Sequence, residues 1–275
     1  MARNEQGYNN FRIPVPEAFE EVFSHFYFAE NNTENLLTKT LLPSYQTILI
    51  FSFGSKTSLT SNQNTRIEVD KCLVLGPIKQ AFDYTLAVGS EILVANFKAD
   101  AFYRFFGNVI LSDPFHINPD ELLDENCFTN LWHILKEMDS AFKRVEFILA
   151  FCQPYLRKRN ATTEILSNFK DEVLNPIKSV ATELQQSERN IQLNHKKYFG
   201  YSAKEINRYQ RFLKAIEVIQ SIISNSSKPD WFDVIDRCGY YDQSQLIHDF
   251  KHFINLSPTQ FVKFQEDICI ANPIK

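Results

Sequence analysis

The spacing of hydrophobic and polar positions changes near residue 99 of this chain. Before that point, short runs of β-branched and aromatic residues are separated by polar residues, glycine and proline, as in the strands of a small barrel or sandwich. The runs are YQTILIFSF (45–53), TRIEV (65–69), KCLVLG (71–76), FDYTLAV (82–88) and EILVANF (91–97). The first part of the chain is therefore predicted to be a β domain.

Beyond residue 99, apolar residues return every three or four positions, which is the period of a helix. ADAFYRFFG (99–107) predicts one or two helical turns, and the stretch 127–156 predicts two helices. The polar segment RKRNATTE (157–164) predicts a boundary between a domain over residues 1–158 and another over 162–275. The predicted fold class is α+β, with a small β-barrel and flanking helices first and an all-α domain after it.

The stretch DWFDVIDRCGYYDQSQLIHDFKHFINLSP (230–258) predicts a short helix, a tight turn and a second short helix. Gly239 suits the left-handed residue that ends the first helix, and Asp242 with Gln245 forms the capping box that starts the second. This order is the plan of a helix-turn-helix unit, whose second helix can contact base edges in a major groove. The DNA-binding residues predicted on that helix are Ser244, Gln245, His248 and Lys251.

Taken alone, this second helix is explained equally well as an ordinary amphipathic helix with a solvated face. However, the same plan occurs upstream in NPIKSVATELQQSERNIQLNHKKYFGYS (175–202), with Ser187 as the predicted N-cap and Gly200 in the following turn. Between the copies, SAKEINRYQRFLKAIEVIQSIISN (202–225) predicts one helix of about 30 Å, close to the ~34 Å between successive major-groove faces. The doubling favours DNA binding over a solvated face.

Positive charge is concentrated in and after the upstream copy. The whole chain has a formal net charge of -4, yet the segment 187–214 contains seven basic and two acidic residues. Because phosphate binding depends on local positive potential, this segment is predicted to attract DNA. The residues predicted to enter the first major groove are Arg189, Asn190, Gln192 and Lys196. The predicted phosphate contacts are Lys197, Arg208, Arg211 and Lys214.

These segments resemble the AraC/XylS family of transcriptional regulators, whose DNA-binding domain has two helix-turn-helix units joined by a long helix. The resemblance covers residues 163–264, and RYQRFLKAI (208–216) resembles the linking helix. The matching positions are Ser187, Arg189, Gly200, Tyr201 and Ser202 in the first unit and Gly239, Tyr240, Asp242, Gln243, Ser244, Leu246, Asp249, Phe250, Lys251, Ser257, Pro258 and Phe261 in the second. The resemblance implies a transcriptional regulator of bacterial type that binds double-stranded DNA and has RNA polymerase as a further partner.

The chain departs from the family pattern in both units. Leu193 and His248 stand where family members carry arginine, and His195 stands where they carry a buried phenylalanine. In the second unit, Gln245 replaces a common histidine and Asn255 a common glycine. Arginine is the side chain best suited to bidentate contacts with guanine and phosphate. The alternative function is therefore a protein-interaction or small-molecule-binding adaptor that kept the fold and weakened its DNA binding.

The first domain resembles the cupin-like β-barrel sensory domain that often accompanies this DNA-binding domain. The segments that carry the resemblance are LLPSYQTILIFSFG (41–54), LGPIKQAFDYTL (75–86) and ILVANFKADAFYRFFG (92–107). It implies that the domain binds a small-molecule effector or forms a homodimer. The aromatic clusters FSHFYF (23–28) and FYRFF (102–106) fit an effector pocket, but they are more typical of plain core.

Motifs of enzymes and cofactor sites are absent from the sequence. The six histidines show no HxH, HxxH or HExxH spacing, and there is no GxSxG elbow, Walker loop or GxGxxG fingerprint. The five scattered cysteines contain no CxxC pair, which favours reduced thiols in a cytoplasmic protein. No apolar run approaches the roughly 20 residues of a membrane helix. We therefore expect no catalytic residues, metal ligands, cofactor or membrane-spanning segment.

Overall fold

The computed structural model describes residues 7–61, 65–107, 116–123, 126–168, 176–224, 229–263 and 268–269. The strands are β1 (Tyr8–Ile13), β2 (Phe23–Asn31), β3 (Leu37–Leu41), β4 (Ile48–Gly54), β5 (Thr57–Ser61), β6 (Arg66–Val69), β7 (Cys72–Leu75), β8 (Phe82–Leu86), β9 (Ser90–Phe97), β10 (His116–Ile117) and β11 (Ile268–Cys269). One sheet has the order β1-β2-β9-β4-β7-β10, and the other has the order β11-β3-β8-β5-β6. All neighbours pair antiparallel except β11 and β3, so the chain's last described strand joins the edge of an N-terminal sheet.

Strands β4 and β9 are apolar on both sides because both of their faces are covered. The two strands pair with Ile50 opposite Val94 and Phe51 opposite Leu93. Ile50 and Val94 belong to the core between the two sheets, whereas Phe51 and Leu93 belong to the core beneath the flanking helices. Successive side chains of a strand point to opposite faces, which explains the continuous apolar run in the sequence.

Three helices cover the outer face of the first sheet. They are α1 (Ala101–Phe106), α2 (Cys127–Lys136) and α3 (Ala141–Cys152). Trp132 anchors α2 to the sheet, because its indole Nε1–H donates a 2.7 Å hydrogen bond to the carbonyl oxygen of Ser52. Gly107 ends α1 with a left-handed φ of 76°. The short helix at 99–107 and the two helices predicted within 127–156 are thereby confirmed.

The C-terminal half is entirely helical up to residue 263 where the structure describes it. Its helices are α4 (Ala161–Asn168), α5 (Pro176–Glu183), α6 (Glu188–Phe199), α7 (Ala203–Ser224), α8 (Trp231–Cys238), α9 (Gln243–Ile254) and α10 (Pro258–Lys263). The long helix α7 has 22 residues, as predicted for the linking helix. The predicted segment ends at 175, 225 and 264 lie outside the described residues.

The helix pairs α5–α6 and α8–α9 contribute to two apolar clusters. The unit formed by α5 and α6 buries Ile177, Val180 and Ile191 in a small cluster. The unit formed by α8 and α9 packs on α7 through a larger cluster that includes Phe212 and Phe250. Their rings lie 5.0 Å apart in an edge-to-face arrangement. Both units therefore pack on α7, and Phe199 of α6 joins the larger cluster as well.

Local capping explains where α6 and α9 begin. Asp242 Oδ1 accepts a 2.8 Å hydrogen bond from the backbone N–H of Gln245, and the side-chain Oε1 of Gln245 accepts one from the N–H of Tyr241 over 2.9 Å. At α6, Ser187 Oγ accepts a hydrogen bond from the N–H of Asn190. Both helices therefore start at the residues that the sequence pattern indicates.

Helices α6 and α8 each end at a glycine. Gly200 follows α6 with φ 79°, and Gly239 follows α8 with φ 72°. Side chains with a Cβ rarely adopt this left-handed backbone, whereas glycine does so without strain. At the end of α9, Asn255 adopts the same conformation with φ 56°, which asparagine tolerates better than most residues.

The N-terminal half docks on α7 through an aromatic contact. Tyr45 stacks on Tyr209 with the ring centroids 4.6 Å apart, and the hydroxyl of Tyr209 donates a hydrogen bond to the carbonyl oxygen of Pro43. Tyr45 also meets Tyr201 edge to face over 5.1 Å. The buried tyrosines thus form a continuous contact between the sheets and the helices.

Polar contacts extend this docking to α9. The backbone N–H of Ala81 donates a 2.7 Å hydrogen bond to the carbonyl oxygen of Phe253. Lys79 Nζ lies 2.7 Å from Glu205 Oε1 at the start of α7. Burial acts to raise the pKa of Glu205, but hydrogen bonds from Lys79 and Ser202 outweigh it and lower that pKa to about 2. The two halves thus share one contact surface. The domain boundary between residues 158 and 162 stays a prediction.

The fold class predicted from the sequence is confirmed. The chain is α+β, with β-sheets in its first part and helices in its second. Among the described residues, no helix is both long enough and apolar enough to cross a membrane.

Candidate nucleic-acid interface

A concave groove of 1250 Å³ runs between helices α6 and α9. The first half of α7 forms its floor. The side chains predicted to contact DNA that line it are Arg189, Gln192, Lys196, Arg208, Arg211, Gln245 and His248. The groove also contains Lys204 and Asn207 of α7 and the exposed Leu193 of α6. The fold therefore brings residues far apart in sequence to one surface.

The groove has a strongly positive lining in a chain whose net charge is negative. Its walls and floor carry the basic residues Arg189, Lys196, Lys204, Arg208 and Arg211. The one carboxylate among the described lining residues is Asp249. Positive potential in a concave surface attracts anions, so the local charge suits a polyanion although the overall charge of -4 does not.

The floor of the groove is organised by the buried Asp249. Its Oδ1 accepts a 2.6 Å hydrogen bond from Arg208 Nε, and its Oδ2 accepts a 3.2 Å bond from Arg211 Nη2. Asp249 is only 1% exposed, whereas the two arginine side chains are 29% and 27% exposed. One carboxylate thus holds two arginines in place and offsets one of their charges. Phosphate contact by these arginines stays a prediction.

The remaining predicted contacts lie outside the groove walls. Asn190 donates from its side-chain Nδ2 to Gln186 Oε1 over 2.9 Å. Lys197 Nζ lies 5.8 Å from the ring centre of Tyr103 in α1, and therefore faces the N-terminal half. The others, which are exposed on α7 and α9, are Lys214, Ser244 and Lys251. Their DNA contacts stay predictions, and the position of Lys197 disfavours its contact.

His195 takes the structural place of the phenylalanine that the family resemblance implies. It is buried, its ring centre lies 4.7 Å from that of Phe199 with the two rings tilted by 37°, and its Nδ1 lies 2.7 Å from the carbonyl oxygen of Tyr201. A carbonyl can only accept, so Nδ1 carries the proton and donates. The hydrogen bond to Tyr201 acts to raise the pKa of His195, but burial outweighs it and lowers that pKa. The lowered pKa keeps the ring neutral at physiological pH.

A second concave feature, a cavity of 240 Å³, lies between the two sheets. Most of its wall is apolar and comes from both sheets. The apolar lining residues are Phe11, Leu41, Ile48, Ile50, Leu59, Phe82, Ile92 and Val94. The polar lining residues include Arg12, His25, Tyr27, Tyr84 and Asn96. The hydroxyls of Tyr27 and Tyr84 lie 3.1 Å apart. The cavity is therefore apolar with a few polar groups, the usual character of a small-molecule site.

Hydrogen bonding fixes the tautomer of His25 in this cavity. Ser24 Oγ donates its single proton to Gln46 Oε1 over 3.1 Å, so the same oxygen must accept the 3.0 Å bond from His25 Nδ1. Nδ1 is thus protonated, and Nε2 is an acceptor. Burial, together with the charge of Arg12, lowers the pKa of His25 to about 4. The cavity therefore combines a neutral acceptor with a cation.

No family model matches the sequence, and no curated protein matches it. Among solved structures, the chain is similar to ToxT from Vibrio cholerae, at 13% identity over 94% of this chain and 98% of that chain, with a TM-score of 0.40. A second ToxT structure, solved with an unsaturated fatty acid bound, is 12% identical over 84% of this chain and 96% of that one, with a TM-score of 0.37. A cupin protein from Desulfovibrio desulfuricans covers 35% of this chain and 88% of its own, with 12% identity and a TM-score of 0.28. Identities and TM-scores this low do not establish a function.

Proposed function

We propose that this protein is a DNA-binding transcriptional regulator. The observation that carries the proposal is the basic groove between α6 and α9, because both predicted recognition faces open onto it. Arg189, Gln192 and Lys196 read bases from one side, and Gln245 and His248 read them from the other. Major-groove base edges present the donors and acceptors that these side chains match.

The spacing of the two units depends on where each one packs along α7. The first unit packs on the start of that helix through Ala203, and the second packs on it through buried residues from Phe212 to Ile219. Nine to sixteen residues separate these points, which is about 14 to 24 Å along a helix axis. The length of α7 therefore does not by itself set the ~34 Å between major grooves, and simultaneous reading of adjacent grooves is part of the proposal.

Selection of binding sites from random DNA tests this function directly. The full chain, incubated with a library of random duplexes, is expected to enrich sequences with two blocks whose centres lie about 10 base pairs apart. Enrichment of a single block would mean that only one unit reads bases. Binding without any sequence preference would contradict the proposal and favour the protein-interaction adaptor, for which the exposed Leu193 in the groove is the supporting feature.

The cavity between the sheets is proposed as the effector site of the regulator. A ligand that matches it has a compact apolar body, a hydroxyl or N–H that donates to His25 Nε2, and an acceptor or anionic group that meets Arg12. RNA polymerase and a second copy of the chain remain partners predicted from the sequence resemblance alone.

Ligand binding in the cavity can be measured by thermal unfolding. Among 4-hydroxyphenylacetate, phenylacetate and 4-methylphenol, we expect the first to raise Tm most, by about 5 °C at 100 times its Kd. Arg12→Gln is expected to abolish the advantage of 4-hydroxyphenylacetate over 4-methylphenol, because the latter lacks the carboxylate. Failure of all three probes to bind saturably, or an unchanged preference in the variant, would contradict the ligand assignment.

A further inference from the structure

We propose that Arg208 is a positioning residue that fixes His248 as a hydrogen-bond donor, so that the second recognition helix selects guanine and rejects cytosine at one position. The inference rests on the proposed DNA-binding function and assigns a base preference to one side of the groove. It also gives Arg208 a role other than the phosphate contact predicted from the sequence.

The donor character of His248 follows from its contact with Arg208. Arg208 Nη2 lies 3.0 Å from His248 Nδ1. A guanidinium has only donors, so Nδ1 must accept and carries no proton. The proton of the neutral ring then lies on Nε2. Asp249 Oδ1 does not compete for Nδ1, because those two atoms are 4.0 Å apart, beyond hydrogen-bond range.

Arg208 is itself held from the opposite side. Its Nε donates to the buried Asp249 over 2.6 Å, and its guanidinium carbon lies 5.3 Å from the ring centre of Phe253. Asp249 also accepts from Arg211, which fixes the carboxylate. These contacts restrict rotation of the Arg208 side chain and keep its Nη2 beside His248.

His248 is placed where it can use this donor. Its side chain is 74% exposed and lines the groove beside Gln245. Guanine presents two acceptors, N7 and O6, on its major-groove edge, whereas cytosine presents a donor there. A ring whose outer nitrogen only donates gains a hydrogen bond with guanine and meets a second donor at cytosine. His248 stands where the family resemblance implies an arginine, and it donates to the base while Arg208 fixes its protonated nitrogen.

Conservative substitutions at two arginines separate positioning from phosphate attraction. Arg208→Lys keeps the charge, but its single nitrogen cannot bridge Asp249 and His248 as the planar guanidinium does. Arg237→Lys is the matched control, since Arg237 pairs with Asp233 on the surface of α8 and does not line the groove. On the duplex selected by the wild-type protein, we expect Arg208→Lys to reduce the preference for G over C at one position about fivefold. Arg237→Lys should leave that preference unchanged, and both variants should keep the wild-type salt slope.

Outcomes of this experiment are decisive in either direction. An equal loss of base preference in both variants would show that the effect does not depend on the contact with His248, and would overturn the proposal. No loss in Arg208→Lys, or a loss spread over all positions with a smaller salt slope, would overturn it as well, because a phosphate contact would then be the better description.

Nitrogen-15 NMR of the histidine rings tests the contact without DNA. At pH 8, with the His248→Gln variant used for assignment, we expect the wild-type His248 ring to have its proton on Nε2 alone and Arg208→Lys to show both tautomers. A proton on Nδ1 in the wild-type protein would overturn the proposal even if DNA binding is sequence-specific. If the expected tautomer is found but no sequence is selected, the DNA-binding function fails and the base preference fails with it, whereas the contact with Arg208 stands.

Discussion

Replacement of Asp249 by asparagine is expected to lower the free energy of unfolding by about 3 kcal/mol, the lower end for a broken buried ion pair. The carboxylate is buried and accepts hydrogen bonds from Arg208 and Arg211. Asparagine retains the shape but removes the charge, so two guanidiniums are left beside each other at the floor of the groove. Their partial exposure keeps the cost at the lower end of the range. Denaturation with urea measures the effect.

The matched control is Asp233→Asn, which breaks an ion pair of the same type on the surface. Asp233 Oδ2 lies 3.2 Å from Arg237 Nη1, and both side chains are 50% exposed. Exposed pairs of this kind contribute less than about 1 kcal/mol. Similar losses in the two variants would mean that burial of Asp249 does not determine its contribution, and would remove the reason for treating it as the organiser of the groove.

The double variant Arg189→Gln/Lys196→Gln is expected to weaken binding to the selected duplex about 100-fold at moderate salt. Both side chains lie on the wall that α6 contributes to the groove. Each loss removes a base or phosphate contact together with a positive charge. The slope of log K against log salt is expected to become shallower by about 2, since two fewer counterions are released. Fluorescence anisotropy over a series of salt concentrations provides both values.

An equal change in charge outside the groove controls for general electrostatics. Arg66 and Lys143 lie in the N-terminal half, and their side chains are 68% and 64% exposed. The variant Arg66→Gln/Lys143→Gln removes the same two types of charge and should change affinity less than about twofold. If the two double variants weaken binding equally, the attraction is a property of the whole molecule and α6 is not a reading helix.

The C-terminal helices could be predicted because their signals are local. Asp242 and Gln245, or Ser187 and the helix that follows it, lie within one turn of each other, so the capping residues alone indicate where a helix starts. The strands β1, β2, β3, β5, β10 and β11 were not predicted. The sequences of β1 (YNNFRI) and β5 (TSLTS) contain many polar residues, and their pairing partners lie elsewhere in the chain.

The groove was predictable only in part. The outward faces of α6 and α9 follow from helical periodicity, and so does a polar stripe on α7 at Lys204, Asn207 and Arg211, of which only Arg211 was predicted to contact DNA. The bonds between Arg208 and Asp249 were not predictable, because 41 residues separate the partners and spacing along a helix gives no information about such a contact. The same holds for Arg12 and His25, which reach one cavity from different strands.

The cavity and the docking surface are built from the same two stretches of chain. Ala81, which bonds the carbonyl oxygen of Phe253, is followed directly by Phe82 in the cavity wall, and Tyr45 precedes the wall residue Ile48 by three positions. A substitution at Ile48 or Phe82 that reshapes the cavity is therefore expected to shift the contacts of Tyr45 with Tyr209 and of Ala81 with Phe253 as well. A change in the shape of the cavity would thus reach α7 and α9 through the chain itself.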